Sequence, residues 1–343
     1  MKETLYKNFS WRIHKKNWSL QKANICQFEL TFKCGLHCRH CYSDCFNKAR
    51  YIEKELDTKQ VKLILDKLHQ AGIVWLCFTG GDPLTRPDFL EIYAYAKEKG
   101  FIITLFTNGY SMSKKVADYL ENKPPFVVEV TLNSISKGCF EKITQIEGSF
   151  EKTMAGIFLL LKKRIPLKIK TQLTRDNFKE LPRIKEFVEN KHLDFMPSFL
   201  IHSRLNGDNG PCRLRLSSRQ LQNLFKIDKI SAQVCLPKPS GRQKILFNCA
   251  AGGGDGFFVD PYGNMFLCNL LRTPFVDLVN NNIYPGLDRL TSLIRNKEFS
   301  TNSKCRLCQI RKWCLNCPGR AYLETGSKER SVPWFCRLAK LLS

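Results

Sequence analysis

From residue 25 to about residue 200 the chain alternates short apolar runs with amphipathic ones. Such a rhythm constrains the fold to an α/β architecture in which a mostly parallel sheet is joined by helical crossovers. Six strands are expected, beginning near Asn24, Val74, Phe101, Phe126, Leu167 and Leu193. Between the first two, Val61, Ile64, Leu65 and Leu68 recur at i, i+3, i+4 and i+7. Lys59, Lys62, Asp66 and Lys67 fall largely on other faces, and Asp57 and Thr58 can cap this helix. Ligands of parallel α/β sheets gather beyond the carboxyl ends of the strands. Those ends carry Cys34, Cys38 and Cys41 after Phe32, then Thr79-Gly80-Gly81-Asp82-Pro83, Thr107-Asn108-Gly109, Thr131-Leu132-Asn133-Ser134 and Thr171.

The first three cysteines are spaced C-x3-C-x2-C. A structural zinc usually takes four protein ligands, whereas a 4Fe-4S cluster held by three thiolates keeps one iron open to an outside ligand. Alone, the spacing would also suit a zinc knuckle or inert thiols. A strand directly before it and a glycine turn after the second strand are the context that favours the cluster.

Together, the cysteine spacing and the Gly80-Gly81-Asp82-Pro83 turn resemble the radical S-adenosylmethionine (SAM) superfamily. The resemblance covers roughly residues 21–200 and implies a partial (β/α)6, TIM-like barrel whose open iron chelates the amino and carboxylate groups of SAM. It implies further that Gly80, Gly81 and Asp82, the last standing where the family commonly has Glu, bring backbone close to the methionine end of SAM. Thr131 and Asn133 would meet the ribose, and Asn108 can reach the same ligand. His40 occupies the place of an aromatic residue over the adenine, unless it is a loop residue facing solvent. The implied reaction needs a one-electron donor of the flavodoxin or ferredoxin type and yields a 5'-deoxyadenosyl radical that takes a hydrogen atom from the substrate.

A second cysteine field follows. Cys249, Gly263 and Cys268 read C-x13-G-x4-C; Cys305, Cys308, Cys314 and Cys317 read C-x2-C-x5-C-x2-C; Cys336 stands last. The field resembles the SPASM domain of radical SAM peptide and protein maturases, with one residue fewer before Cys317 than is usual. By that resemblance Cys305, Cys308, Cys314 and Cys336 would hold one auxiliary 4Fe-4S cluster. Cys249, Cys268 and Cys317 would hold another, one ligand short, for which Asp255, Cys235, Cys212 or the substrate itself are candidates. A single zinc among Cys305 to Cys317 would leave Cys249, Cys268 and Cys336 without a role. Among the remaining cysteines, Cys26 and Cys77 lie inside strand runs and read as small buried apolar residues. The expected organisation is an amino-terminal extension over 1–20, the barrel over 21–200, a connector over 201–248 with a helix from Ser217 to Ile227, and the SPASM domain over 249–343.

The 55 Lys and Arg against 31 Asp and Glu give a formal charge of +24, which should attract acidic partners unless it is only a solvated surface. No RNA-binding signature accompanies it, so nucleic acid is not the expected partner. The polar start of the chain is not a signal peptide, no apolar run reaches the roughly 20 residues that span a bilayer, and sixteen cysteines in short clusters suit a reducing cytoplasm. The expected function is modification of a ribosomally synthesised peptide or protein by cross-linking, epimerisation, decarboxylation or residue excision. The substrate's leader could be acidic, and because little chain precedes Cys34, leader binding would fall to a separate protein. Alternatives are an enzyme of tetrapyrrole or other small-cofactor biosynthesis, a sulfatase-maturating enzyme, and a non-enzymatic iron-sulfur protein. Against the sulfatase alternative, Asn269 stands where those enzymes place a proton-accepting Asp. No general acid or base can be named from sequence.

Overall fold

The computed structural model describes residues 5–19, 22–227, 244–247 and 256–343. Six strands form where the apolar runs require them: β1 (Ile25–Thr31), β2 (Trp75–Gly80), β3 (Ile102–Thr107), β4 (Val127–Thr131), β5 (Leu167–Gln172) and β6 (Asp194–Ser198). Each pairs in parallel with the next, giving the order β6-β5-β4-β3-β2-β1. The connecting helix Thr58–Gln70 buries Val61, Ile64, Leu65 and Leu68 and begins in a capping box: Asp57 Oδ1 accepts from Gln60 N at 2.8 Å, and Gln60 Oε1 accepts from Asp57 N at 3.1 Å.

The sheet does not close into a full barrel. At one edge lies β6, where Pro197 is tolerated because an edge strand need not donate on its free side. At the other, β7 (Gly256–Val259) pairs in parallel with β1, and β8 (Asn264–Phe266) and β9 (Val276–Asp277) continue the sheet antiparallel. The sequence gives no periodic signal for these three, since strands of four, three and two residues are too short to show one.

Alternation along the strands separates two faces. Cys26, Phe28, Leu76, Phe78, Ile103, Leu105, Val128, Val130 and Ile169 are buried in the principal core. The registers Gln27↔Cys77↔Thr104, Phe106↔Glu129↔Lys168 and Thr131↔Lys170 place the polar residues together on the opposite, inner face. The amino end of that face is covered by the helix Tyr6–Ser19: Trp75 Nε1 donates to Tyr6 Oη at 3.0 Å, the His14 ring stacks on Trp75 at 4.5 Å, and Tyr6 meets Phe126 at 4.6 Å. Among the described residues no helix is long and apolar enough to cross a membrane.

A second core joins Leu173, Leu181, Phe199, Leu216, Leu221 and Leu224 to Leu315, Val332, Trp334, Phe335 and Leu338. Buried at its margin, Arg215 grips both oxygens of Glu324 at 3.0 and 2.6 Å, donates to the Ile201 carbonyl at 3.0 Å, and lies over the Trp334 and Phe335 rings. Arg215→Met should destabilise the protein by about 2–3 kcal/mol, because it leaves a carboxylate without its partner. Adding Glu324→Gln should recover part of that loss in a urea-unfolding comparison.

Glu329 takes four hydrogen bonds, from the amides and hydroxyls of Ser300 and Thr301. Burial alone would raise its pKa, but these donors outweigh it and hold the carboxyl at about 2. A depressed folded-state pKa contributes stability above the unfolded value near 4.5 and loses it as pH falls toward 2. The stability gap between the wild type and Glu329→Gln should therefore be full at pH 6, shrink below about pH 4.5 and vanish near pH 2 in a denaturation series.

Candidate active site

Beyond β1 the chain enters the loop that carries Cys34, Cys38 and Cys41, and neighbouring elements fix its path. Asn47 accepts from Cys34 N at 3.2 Å and donates to Cys34 O at 3.0 Å. His37 N and Arg39 N, on either side of Cys38, donate at 2.9 Å to the Thr144 and Ile143 carbonyls at the end of the helix Lys137–Thr144. Arg204 reaches Cys41 O at 3.3 Å and Asp44 Oδ2 at 3.2 Å. Leu36 N and Asn108 Nδ2 both point at Cys34 Sγ, at 3.4 and 3.3 Å, as donors to a thiolate would. Burial first, then nearby negative charge, pushes the Cys34 and Cys38 thiols up, so metal binding here must displace protons.

The glycine turn lies directly against this loop. Gly81 N donates to Thr31 O at 2.7 Å and Asp82 N to Lys33 O at 2.9 Å. A Cβ on Gly80, whose φ is +137°, would fall 2.2 Å from Thr31 O, and one on Gly81 would fall 2.4 Å from Lys33 O. Backbone contact this close is open only to glycine. The Asp82 carboxylate is wholly buried and turns inward, accepting from Leu84 N at 3.0 Å, Thr107 Oγ1 at 2.8 Å and Asn108 N at 3.0 Å. Asp82 thus positions Asn108, which in turn touches Cys34.

The other residues expected at the SAM site divide in the same way. Asn133 is buried, and its Oδ1 accepts from Gln172 N at 2.9 Å, so that oxygen braces β5. Thr131 is half-buried at the end of β4, in register with Lys170. His40 is half-buried: its Nδ1 is sealed off without a hydrogen bond, and burial, then the Arg204 charge, pushes the imidazole down to about 4.

Cys305, Cys308, Cys314, Cys317 and Cys336 all line one pocket. The Cys305 thiol is pushed up to about 11 by burial, then by Cys314 and Cys336. Arg311 lies in the same pocket, donating to Cys305 O at 3.0 Å, while its buried Nε has no hydrogen-bond partner. A half-buried cation among five cysteines suits an anionic, thiolate-ligated group. Cys268 lies beside Gly319, two residues after Cys317: a Cβ added there would come 3.5 Å from the Cys268 sulfur. Cys249, Cys235 and Asp255 lie outside the described residues. Cys212 turns its thiol toward Ser203 at 3.4 Å and Glu324 at 3.8 Å. Among the described residues no three His, Cys, Asp or Glu side chains are grouped tightly enough for a single metal ion. A four-iron cluster is a larger body and takes its cysteines from farther apart.

Between the two cysteine fields sit charged residues that the sequence reading did not select. Glu29 and Arg272 pair through both oxygens at 2.8 Å, and Glu129 lies between Lys168 and Lys170. Tyr42, next to Cys41, has Asn269, next to Cys268, as a neighbour, so the two fields approach each other there. The available signal was a charge at an inward-alternating position inside each apolar run, as at Glu29, Glu129, Lys168 and Lys170.

Residues 28–188 match the family model of the Radical SAM superfamily. That segment is a radical SAM domain. It is 26% identical over 340 residues to an AdoMet-dependent heme synthase of Methanosarcina barkeri (strain Fusaro / DSM 804), covering 90% of this chain and 94% of the relative. To a PqqA peptide cyclase of Ruegeria pomeroyi (strain ATCC 700808 / DSM 15171 / DSS-3) it is 29% identical over 162 residues, 47% of this chain and 42% of the relative. In fold it is similar to Streptococcus suis SuiB bound to precursor peptide SuiA, with a TM-score of 0.69 at 13% identity over 96% of this chain and 81% of that one.

Radical SAM enzymes use a 4Fe-4S cluster and SAM, and the residues present fit both. Cys34, Cys38 and Cys41 would hold the cluster, and Gly80 and Gly81 let the glycine turn pack directly on the backbone that leads into Cys34. When bound, the pair supplies a 5'-deoxyadenosyl radical on one-electron reduction. The chain's own part is to hold the cysteine loop by Asn47, Arg204 and the helix end, and to aim Asn108 at the Cys34 sulfur. The helix Tyr6–Ser19 covers the amino end of the inner face, away from the rim that carries the cysteine loop.

Proposed function

We propose that this radical SAM enzyme modifies a ribosomally synthesised peptide or protein by hydrogen-atom abstraction, with two auxiliary 4Fe-4S clusters in the second cysteine field taking up an electron or holding the substrate. Cys305, Cys308, Cys314 and Cys336 would serve one cluster, and Cys249, Cys268 and Cys317 the other. The observation that carries the reading is the Glu29–Arg272 ion pair, which joins β1, ahead of the first field, to the segment just after Cys268. Similarity to a PqqA peptide cyclase supports a peptide as substrate. A flavodoxin or ferredoxin in the cytoplasm would supply electrons, and the basic surface would favour an acidic leader.

A second reading, a step of tetrapyrrole synthesis, is favoured by one observation: the match to a heme synthase runs the length of both chains, while the match to the peptide cyclase spans about half. The test is anaerobic turnover with SAM and dithionite on two substrates, the peptide encoded beside this gene and Fe-coproporphyrin III. A changed peptide mass, or deuterium uptake from heavy water for an epimerisation, with the porphyrin untouched is the expected result. A decarboxylated porphyrin with an unaltered peptide would overturn the peptide reading in favour of the second.

A further inference from the structure

We infer that the inner face of the barrel binds a carboxylate of the substrate through Lys170, with Lys168 beside it and Glu129 as an internal counter-charge. The inference rests on the proposed radical SAM site, because it places the carboxylate at the level where SAM and substrate meet.

Lys170 stands in register with Thr131 on β4, one of the residues expected at the ribose of SAM. Its Nζ lies 3.5 Å from the centroid of the Phe106 ring and 3.1 Å from Glu129 Oε2. Lys168, in register with Glu129, reaches Glu129 Oε1 only at 3.5 Å. Neither approach makes a hydrogen bond to Oε2, which is buried and unsatisfied. The carboxylate side chain is 9% exposed, while the two lysine side chains are 27% and 25% exposed. Two reachable ammonium groups therefore lean on one sealed carboxylate without satisfying it.

The other charges on this face do not cancel the excess. Glu29 is engaged by Arg272. Asp194, in register with Lys168 on β6, is exposed and makes no ion pair with it. The Cys77 thiol, which feels both Lys170 and Glu129, is pushed well up by burial and stays neutral. A small anion entering here would meet an aromatic wall at Phe106 and compact ammonium charges. Compact ammonium charges beside an aromatic wall suit a small anion, and a carboxylate is the anion that both substrate readings supply. An acidic side chain of a peptide and a propionate of a tetrapyrrole share this chemistry.

The test is equilibrium binding to the anaerobic holoenzyme with SAM and no reductant. One arm uses the peptide encoded beside the gene, against the same peptide with Asn and Gln for its acids. The other uses coproporphyrin III against its tetramethyl ester. In one arm the acid form should bind at least ten-fold tighter than its neutral partner. Lys170→Met should remove most of that preference and Lys170→Arg should keep it. Glu129→Gln, by withdrawing the competing charge, should tighten the acid form about three-fold, a gain that a folding defect cannot produce. Equal binding of acid and neutral forms in both arms, a preference that survives Lys168→Met with Lys170→Met, or weaker acid binding in Glu129→Gln would each overturn the inference. Because no turnover is read, failure of the modification reading would appear separately, as a sound preference without a change in product.

Discussion

One methyl group on Gly81 is expected to lower SAM cleavage at least about a hundredfold, the scale of loss that a displacement near 1 Å in a reacting geometry produces. The Cβ of Gly81→Ala would sit 2.4 Å from Lys33 O and 2.5 Å from Phe32 O. Both obstructing atoms are backbone, so neither can swing aside, and both belong to the residues that lead into Cys34. Either the glycine turn or the cysteine loop must move, and overpacking of this kind costs about 1–3 kcal/mol in addition to the misplacement. The readouts are 5'-deoxyadenosine formation under dithionite and iron content of the purified protein. Normal cleavage with full iron would mean that the turn does not set the loop's position.

Removing the Asp82 side chain should be nearly as damaging, by a different route. Asp82→Ala strands Leu84 N, Thr107 Oγ1 and Asn108 N. Three donors left unsatisfied in a buried place cost roughly 3 kcal/mol or more. The loss also frees Asn108, whose amide points at the Cys34 sulfur. Hydrogen bonds to cluster sulfurs stabilise the more negative, reduced state, so the potential of the first cluster should fall, by an amount on the order of tens of millivolts. Potentiometric titration followed by electron paramagnetic resonance reads the shift, and Asn108→Ala should reproduce it without the stability loss. An unchanged potential in both variants would mean that the amide does not act on the cluster.

The site was legible from sequence wherever a strand ended in an unusual residue. Cys34, Gly81 and Asn108 belong to three different crossovers, yet each follows a strand run, and parallel strands bring their carboxyl ends to one rim. What each residue does there was less legible. That the side-chain oxygens of Asp82 and Asn133 are engaged by neighbouring donors is something only the folded registers reveal. The charges on the inner face carried a readable signal, since an ionised residue inside an apolar strand run needs a partner on its own face. The helix Tyr6–Ser19 and the strands β7 to β9 were not foreseen, because the first is specified by contacts to Trp75 and Phe126 and the others have too few residues to show a period.

The pairing of β7 with β1 bears on how such a protein could be cut or recombined. A designer treating the cysteine-rich tail as an interchangeable cassette would be tearing a sheet in its middle, leaving the hydrogen-bonding edge of Ile25–Phe28 bare and prone to self-association. Gly256 sharpens the demand, since a Cβ there would meet Ile25 O at 3.0 Å. A transplanted tail must therefore bring its own small residue to that seam, and a chimera that fails to do so should fail at the level of solubility before its chemistry is ever tested.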